Sequence, residues 1–370
     1  MSRPFFLMAP LLLTACAGGT DKDDTGWVTW YQDVQPVVQG RCVQCHGDDT
    51  ISQDTLVSYA DSVTWFEQMS ADATSGSMPI WRASGTCNTY QHDPTLTDDQ
   101  VQIFVDYANF AAQRGNPDKP GAALASVGPS LSNDDADLLM SSAYTPVGAP
   151  DDFRCFALPW SEGDAFITGL GVTPGEPSEV QGAVLYSVGP ADAATVASWD
   201  TGQGYACYGG PTPEGDAAAV TATWLGDWMP GTTGADLPEN TGLKIAAGSE
   251  IILALHYNVA NGAVADQSEV SFSLADSVTK EEHTAGIYNP TWASNPTSMT
   301  ISAGDAAATA TYGFNPSANM TLYLGALGMR GLGKSAKLWV VHTGGAEDCV
   351  VQEDAWDLDW QGSYALSTPI

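Results

Sequence analysis

Basic residues are scarce in this chain: 12 Lys and Arg stand against 44 Asp and Glu, a formal charge of -32. A surface so negative repels polyphosphate and anionic lipid. It excludes nucleic acid and acidic membrane surfaces as partners, and it favours a basic partner protein or salty surroundings. Histidine is rare as well, at 5 residues in 370, too few for several histidine-rich metal sites. Past the amino terminus no apolar run approaches the ~20 residues of a membrane-spanning helix. Gly169-Leu170-Gly171 neither opens a helix nor brings a lysine, which removes a phosphate-binding loop. No Ser, His and Asp set sits on a strand-to-helix elbow, which removes the usual hydrolase triad. No repeat of fixed period is visible, which excludes propellers and solenoids.

What is present is cysteine in an informative arrangement. Cys42-Val43-Gln44-Cys45-His46 places two thiols three apart with a histidine directly after. Covalent attachment of a c-type haem requires this spacing: the thiols add across the haem vinyl groups, and the adjoining imidazole takes the iron. CxxC pairs also serve zinc sites and dithiol redox centres, but no second CxxC or His-x3-His exists here to complete a zinc set. The amino terminus agrees with a haem outside the cytoplasm. Arg3 precedes the run Phe5 to Ala15, too short to span a bilayer and ending in small residues before Cys16. Residues 1–16 resemble a bacterial lipoprotein signal. Lipid on Cys16 and a tether over 17–26 would anchor the protein in the cell envelope, facing the periplasm or cell surface. Ala17 resembles the outer-membrane sorting preference. Asp21, Asp23 and Asp24 in the tether offer at most weak calcium binding.

Four further cysteines, Cys87, Cys155, Cys207 and Cys349, are an even number in an oxidising compartment, so two disulfides are expected. Three pairings are open, with Cys155–Cys207 preferred. Residues 27–115 read as a small helical haem domain. Trp30, Val34, Val37 and Val38 form an apolar face leading into the haem motif. Thr97-Asp98-Asp99-Gln100 is a capping box opening a helix with Val101, Phe104, Val105, Ala108 and Ala111 on one side, stopped at Gly115. A methionine as sixth iron ligand would raise the reduction potential. Met78 is the best candidate because Pro79 stiffens its loop. Met69 reads as core beside Trp65 and Phe66, and His92 as solvated. The segment resembles the single-haem cytochrome c modules that precede larger catalytic domains in some bacteria.

Residues 116–150, rich in Pro, Gly, Ala, Ser and Asp, read as a linker. Beyond them come short apolar strands between turn residues, among them Ala183–Tyr186, Ile251–Leu255, Val270–Leu274 and Lys337–Val341, a pattern of antiparallel sandwiches. Several strings resemble the copper type II, ascorbate-dependent monooxygenases, the peptidylglycine and dopamine beta-monooxygenase family. They are Asp151–Phe156, Val172–Gly175, Trp228-Met229-Pro230-Gly231, Leu255-His256-Tyr257-Asn258 with Asp266-Gln267-Ser268, Gly331–Ser335 and Trp356–Gln361. The resemblance implies two jelly-roll sandwiches, over 151–280 and, truncated, over 281–370. The whole is expected to be multidomain, a small all-α cytochrome c-like domain followed by all-β sandwiches.

That family holds one copper in each sandwich. Where its adjacent histidine pair belongs, this chain has Val180-Gln181-Gly182, so only His256 survives of the first site. Where the second site has His-x-His, this chain has Gly328-Met329-Arg330, and it ends before the ligand methionine would come. Glycine, glutamine amide and guanidinium do not replace imidazole and thioether donors, so copper is not expected. A rearranged site built from His256, His342 and Met329 is the alternative, while His283, among Lys280, Glu281 and Glu282, reads as solvated. The favoured expectation is a lipid-anchored haem protein passing single electrons to a redox partner, its β-region serving docking or scaffolding. The alternative is a working copper monooxygenase fed by the haem. A third reading leaves the sixth iron position open, for gas sensing or peroxidase-like chemistry.

Overall fold

The structure, a computed structural model, describes residues 26–208, 210–213, 220–260, 262–294, 297 and 299–370. Cys16 and the acidic tether residues Asp21, Asp23 and Asp24 lie outside the described residues.

Among the described residues strand outweighs helix. The central element is a two-sheet sandwich. One sheet has the order β5 (Tyr205–Ala206), β2 (Asp151–Pro159), β9 (Glu250–Asn258), β4 (Val180–Val188), β6 (Ala222–Trp228). The other runs β1 (Ala136–Leu139), β10 (Glu269–Ala275), β3 (Ala165–Thr173), β8 (Thr241–Ile245), β11 (Lys280–Glu282), with β7 (Ala235–Asp236) also on β3. All pairings are antiparallel except β8 with β11. Residues 136–139, inside the stretch expected to be a linker, are thus the edge strand β1.

Strand β9 explains why the sandwich forms. Its run Ile251-Ile252-Leu253-Ala254-Leu255 lies between β2 and β4, so one set of side chains enters the space between the sheets and the other meets a helix. Ile251, Leu253 and Leu255 pack with Leu158, Leu185, Ile167 and Phe272 in the main core. Ile252 turns outward to a second core with Val188, Val196 and Tyr205. Val196 comes from α5 (Pro190–Trp199), which covers that outer face. Burial on both faces is what a short uninterrupted apolar run requires.

Most of the helical residues fall in the first third of the chain. A π-helical turn Trp30–Val34 continues into α1 (Gln35–Arg41), followed by α2 (Val43–His46), α3 (Tyr59–Ser75) and α4 (Asp98–Asn109). Both long helices open with reciprocal capping boxes, Ser58 with Asp61 and Thr97 with Gln100, each worth about 1 kcal/mol. Trp30, Val34, Val37, Val38, Phe104 and Tyr107 form their common core. Helix α4 ends at Phe110, earlier than the Gly115 stop expected from the sequence.

The fold class expected from the sequence is overturned. Among the described residues there is no small all-α cytochrome domain, because the chain between α3 and α4 leaves the helices and joins the carboxyl-terminal strands. Ala83 bridges Glu353, Tyr90 bridges Leu366, and Cys87 is disulfide-bonded to Cys349. Trp81, Tyr90 and Tyr364 pack edge to face in one small core with Val350, Val351 and Leu366. Large aromatic rings of this kind bury much apolar surface where they pack. A second jelly-roll is also absent among the described residues. After α6 (Pro290–Ser294) the strands form two two-stranded sheets, β12 (Leu324–Ala326) with β15 (Ser363–Ala365) and β13 (Ala336–Val341) with β14 (Glu347–Glu353). No described helix is long and apolar enough to cross a membrane.

Polar ties hold this carboxyl-terminal layer to the sandwich and the helices. Ser363 donates from its backbone N and its Oγ to the carboxylate of Asp227, at 2.6 and 2.5 Å. Arg82 pairs with Asp357 at 2.5 Å.

Candidate functional site

Helix α1 ends at Arg41 and α2 begins one residue later, so Cys42 occupies a break between two helices. The amides of Cys45 and His46 both donate to the Cys42 carbonyl, which closes the motif into one turn. The other four cysteines form two disulfides, Cys87–Cys349 and Cys155–Cys207, whereas Cys42 and Cys45 are free. Burial pushes both thiols up, Cys42 to about 12 and Cys45 to about 11, with the neighbouring Cys45 adding to the rise at Cys42 and Arg41 opposing it. Both stay protonated at neutral pH, unlike the low-pKa thiolates of dithiol redox centres.

The His46 ring is oriented by a hydrogen bond of 2.7 Å between Nδ1 and the Asp54 carbonyl. A carbonyl only accepts, so Nδ1 carries the proton and Nε2 keeps a free lone pair, the tautomer a metal-binding imidazole needs. Cys42 packs against the helical core. That core holds the indole N–H of Trp30, and Arg41 holds Nε beside the motif, both buried without a partner among the described residues. Arg41 is one of few cations in the chain, and its Nη1 donates to the Ala125 carbonyl at 2.8 Å.

Cys45 faces the sandwich. A Cβ on Gly231 would stand 3.1 Å from Cys45 Sγ, and Gly231 has φ +94, a conformation that favours glycine. A cavity of about 190 Å³ opens here between Gln44, Thr50 and Ile51 on the motif side and Pro174, Trp228 and Thr232 on the sandwich side. The Val172–Gly175 and Trp228–Gly231 strings therefore form the far wall of the pocket beside the haem motif. Of the candidate sixth ligands, Met78 follows the carboxyl end of α3 with 38% exposure. Met69 packs against the helical core, and His92 Nδ1 is 2.8 Å from the Val127 carbonyl.

A second polar cluster surrounds His256. Phe153 of β2 stands opposite it on one side and Gly182 of β4 on the other. His256 Nε2 lies 2.9 Å from Asp151 Oδ1, and the Phe153 ring stacks on the imidazole with centroids 4.2 Å apart and planes 13° from parallel. Asp359 arrives from the carboxyl-terminal layer. One ligand atom from each of Asp151, His256 and Asp359 falls within 4.8 Å of the others. Burial raises the Asp359 carboxyl, the Asp151 charge raises it further, and His256 opposes both. The other members of the rearranged copper set lie elsewhere: His342 contacts Asp348 across the β13–β14 hairpin at 2.6 Å, and Met329 is placed close to Gly333. Sequence reasoning singled out His256 but neither carboxylate, because residues so distant in the chain share no pattern; its one signal was Asp151 at the head of a family-like string.

No known protein family's model matches the chain, and no curated protein matches it in sequence.

Proposed function

We propose that this protein carries one covalently bound c-type haem on Cys42 and Cys45, with His46 as an iron ligand, and that it transfers single electrons to a basic partner protein. One observation carries the reading: among six described cysteines, the two of the Cys-x-x-Cys-His turn alone remain as free thiols, beside an imidazole whose Nε2 is left open. The surroundings fit the group. Two buried N–H donors, Trp30 Nε1 and Arg41 Nε, lack partners among the described residues, and one belongs to a cation suited to a propionate. When bound, the haem supplies reversible one-electron redox chemistry.

The protein's own residues supply the rest. The Asp54 carbonyl holds the imidazole in one tautomer and orientation. The helical core and the Trp228–Thr233 loop enclose the thiols and limit water. Met78, exposed on the loop after α3, would be the methionine ligand of the iron. Lipid on Cys16 would anchor the protein at the outer membrane, and the acidic surface would attract the partner over long range. The β-region then presents the haem turn and offers a docking surface.

Protein expressed with a c-type haem maturation system and purified under denaturing conditions tests this. One haem per chain surviving denaturation, and lost when Cys42 and Cys45 are both replaced by alanine, is the expected result. A chain whose mass carries no porphyrin refutes the reading. Replacing Met78 with alanine is expected to lower the reduction potential or open the sixth position, seen as a high-spin spectrum.

A further inference from the structure

The surroundings of Asp151, His256 and Asp359 point to a second metal site. We propose that these three side chains bind one divalent cation of zinc's class, which fastens the carboxyl-terminal layer to the sandwich.

Three chain segments distant in sequence converge to make the cluster. Asp151 opens β2, and His256 lies on the neighbouring strand β9, across from Phe153. The stacked Phe153 ring and the Asp151 carboxylate fix the imidazole plane. On the other side, the register of β4 against β9 shifts between Val180 and Gly182, which makes Gln181 the bulged residue. Bulges redirect a side chain out of the ladder, and Gln181 Nε2 donates to the Asp359 carbonyl at 2.9 Å. Asp357 Oδ1 accepts the Asp359 amide at 3.1 Å and is tied to Arg82. The backbone carrying Asp359 is thus held from two directions and its carboxylate is left to face Asp151 and His256.

The charge balance asks for a cation. Two carboxylates approach each other, Asp151 partly buried and Asp359 exposed, and among the described residues neither is ion-paired with Lys or Arg. A single imidazole does not compensate two negative charges. A divalent ion does, and it relieves the repulsion between like groups. Ligand atoms around a tetrahedral zinc ion stand about 3.4 Å apart for bonds of about 2.1 Å. The observed spacings, 2.9 Å for Asp151 to His256 and at most 4.8 Å overall, bracket that value, so side-chain rotation alone closes the set. One nitrogen and two oxygens suit zinc or manganese; the imidazole disfavours calcium and magnesium. Three protein ligands leave a fourth position for water.

The test is zinc titration of the full-length protein by calorimetry, with thermal melting of the same samples. One zinc per chain is expected, with at least tenfold weaker binding after Asp359→Asn and after His256→Gln. Zinc is expected to raise the melting temperature of the parent protein and not that of Asp359→Asn. Two controls separate other sites: binding survives in Cys42→Ser/Cys45→Ser, which removes the haem thiols, and in His342→Gln, which removes the exposed His342–Asp348 pair. Equal binding in all variants would identify adventitious surface zinc and overturn the proposal, as would no binding to the parent. Asp359 lies in an exposed loop, so its variant is expected to melt like the parent without zinc, which keeps the comparison clean.

Discussion

Glu353 closes β14 in full burial, with neither carboxylate oxygen hydrogen-bonded among the described residues. Burial lifts its carboxyl to about 7; Tyr364 and Arg82 nearby pull it back, and Asp357 pushes it up again. In the unfolded chain the same group titrates near its ordinary value of 4.5. Between those two values the folded protein holds a proton that the unfolded chain has released, so stability falls as pH rises through this window. The gap, at about 1.36 kcal/mol per pH unit, puts the loss at about 3 kcal/mol by pH 8. Glutamine at 353 keeps the shape and carries no charge, so Glu353→Gln is expected to flatten this part of the pH profile. It leaves stability nearly unchanged at pH 4.5 and raises it at pH 8. Urea unfolding at both pH values measures the difference. Parallel profiles for parent and variant would refute the reasoning. Glu250, lifted by burial and by Asp200 to about 7, contributes a similar slope to both proteins and cancels in the comparison.

Two further expectations concern chain closure and the loop beside Cys45. Cys87–Cys349 closes a separation of 262 residues and Cys155–Cys207 one of 52. Chain-entropy estimates give upper limits of about 5.5 and about 4 kcal/mol, so the Cys87→Ser/Cys349→Ser protein should unfold at lower urea than Cys155→Ser/Cys207→Ser; the reverse order would sink the entropic account. Gly231→Val adds a branched side chain at φ +94 beside Cys45 Sγ. It should cost about 1–3 kcal/mol and reduce the fraction of chains that acquire haem, read from the ratio of haem absorbance to protein; an unchanged ratio would mean the sandwich loop does not border the haem.

The local grammar of the chain was readable. Thr97 and Gln100 announced a helix start that the structure reproduces, and the apolar run at Ile251 announced the central strand. The preferred Cys155–Cys207 pairing is the one formed. The architecture was not readable, because periodicity reports which face is apolar and says nothing about which distant segment covers it. Trp81, Ala83 and Tyr90 look like loop residues beside a haem motif, yet they pack on strands more than 250 residues later. One clue was present: pairing Cys155 with Cys207 leaves Cys87 to pair with Cys349, which already binds the helical segment to the end of the chain. Asp359 is a similar case. The bulge at Gln181 helps to bring it to His256, and a bulge leaves no mark in hydropathy.

The Cys87–Cys349 link also sets the order of events during biosynthesis. The helices and the Cys-x-x-Cys-His turn leave the ribosome first, but the strands that complete the Tyr90 core come last. Until β14 and β15 arrive, Trp81, Tyr90 and Cys87 remain uncovered, and non-local pairing of this kind is slow. The interval is an opportunity as well as a hazard. A chain whose first part stays open until its last part emerges leaves Cys42 and Cys45 accessible to any enzyme that modifies them before the sandwich closes over them.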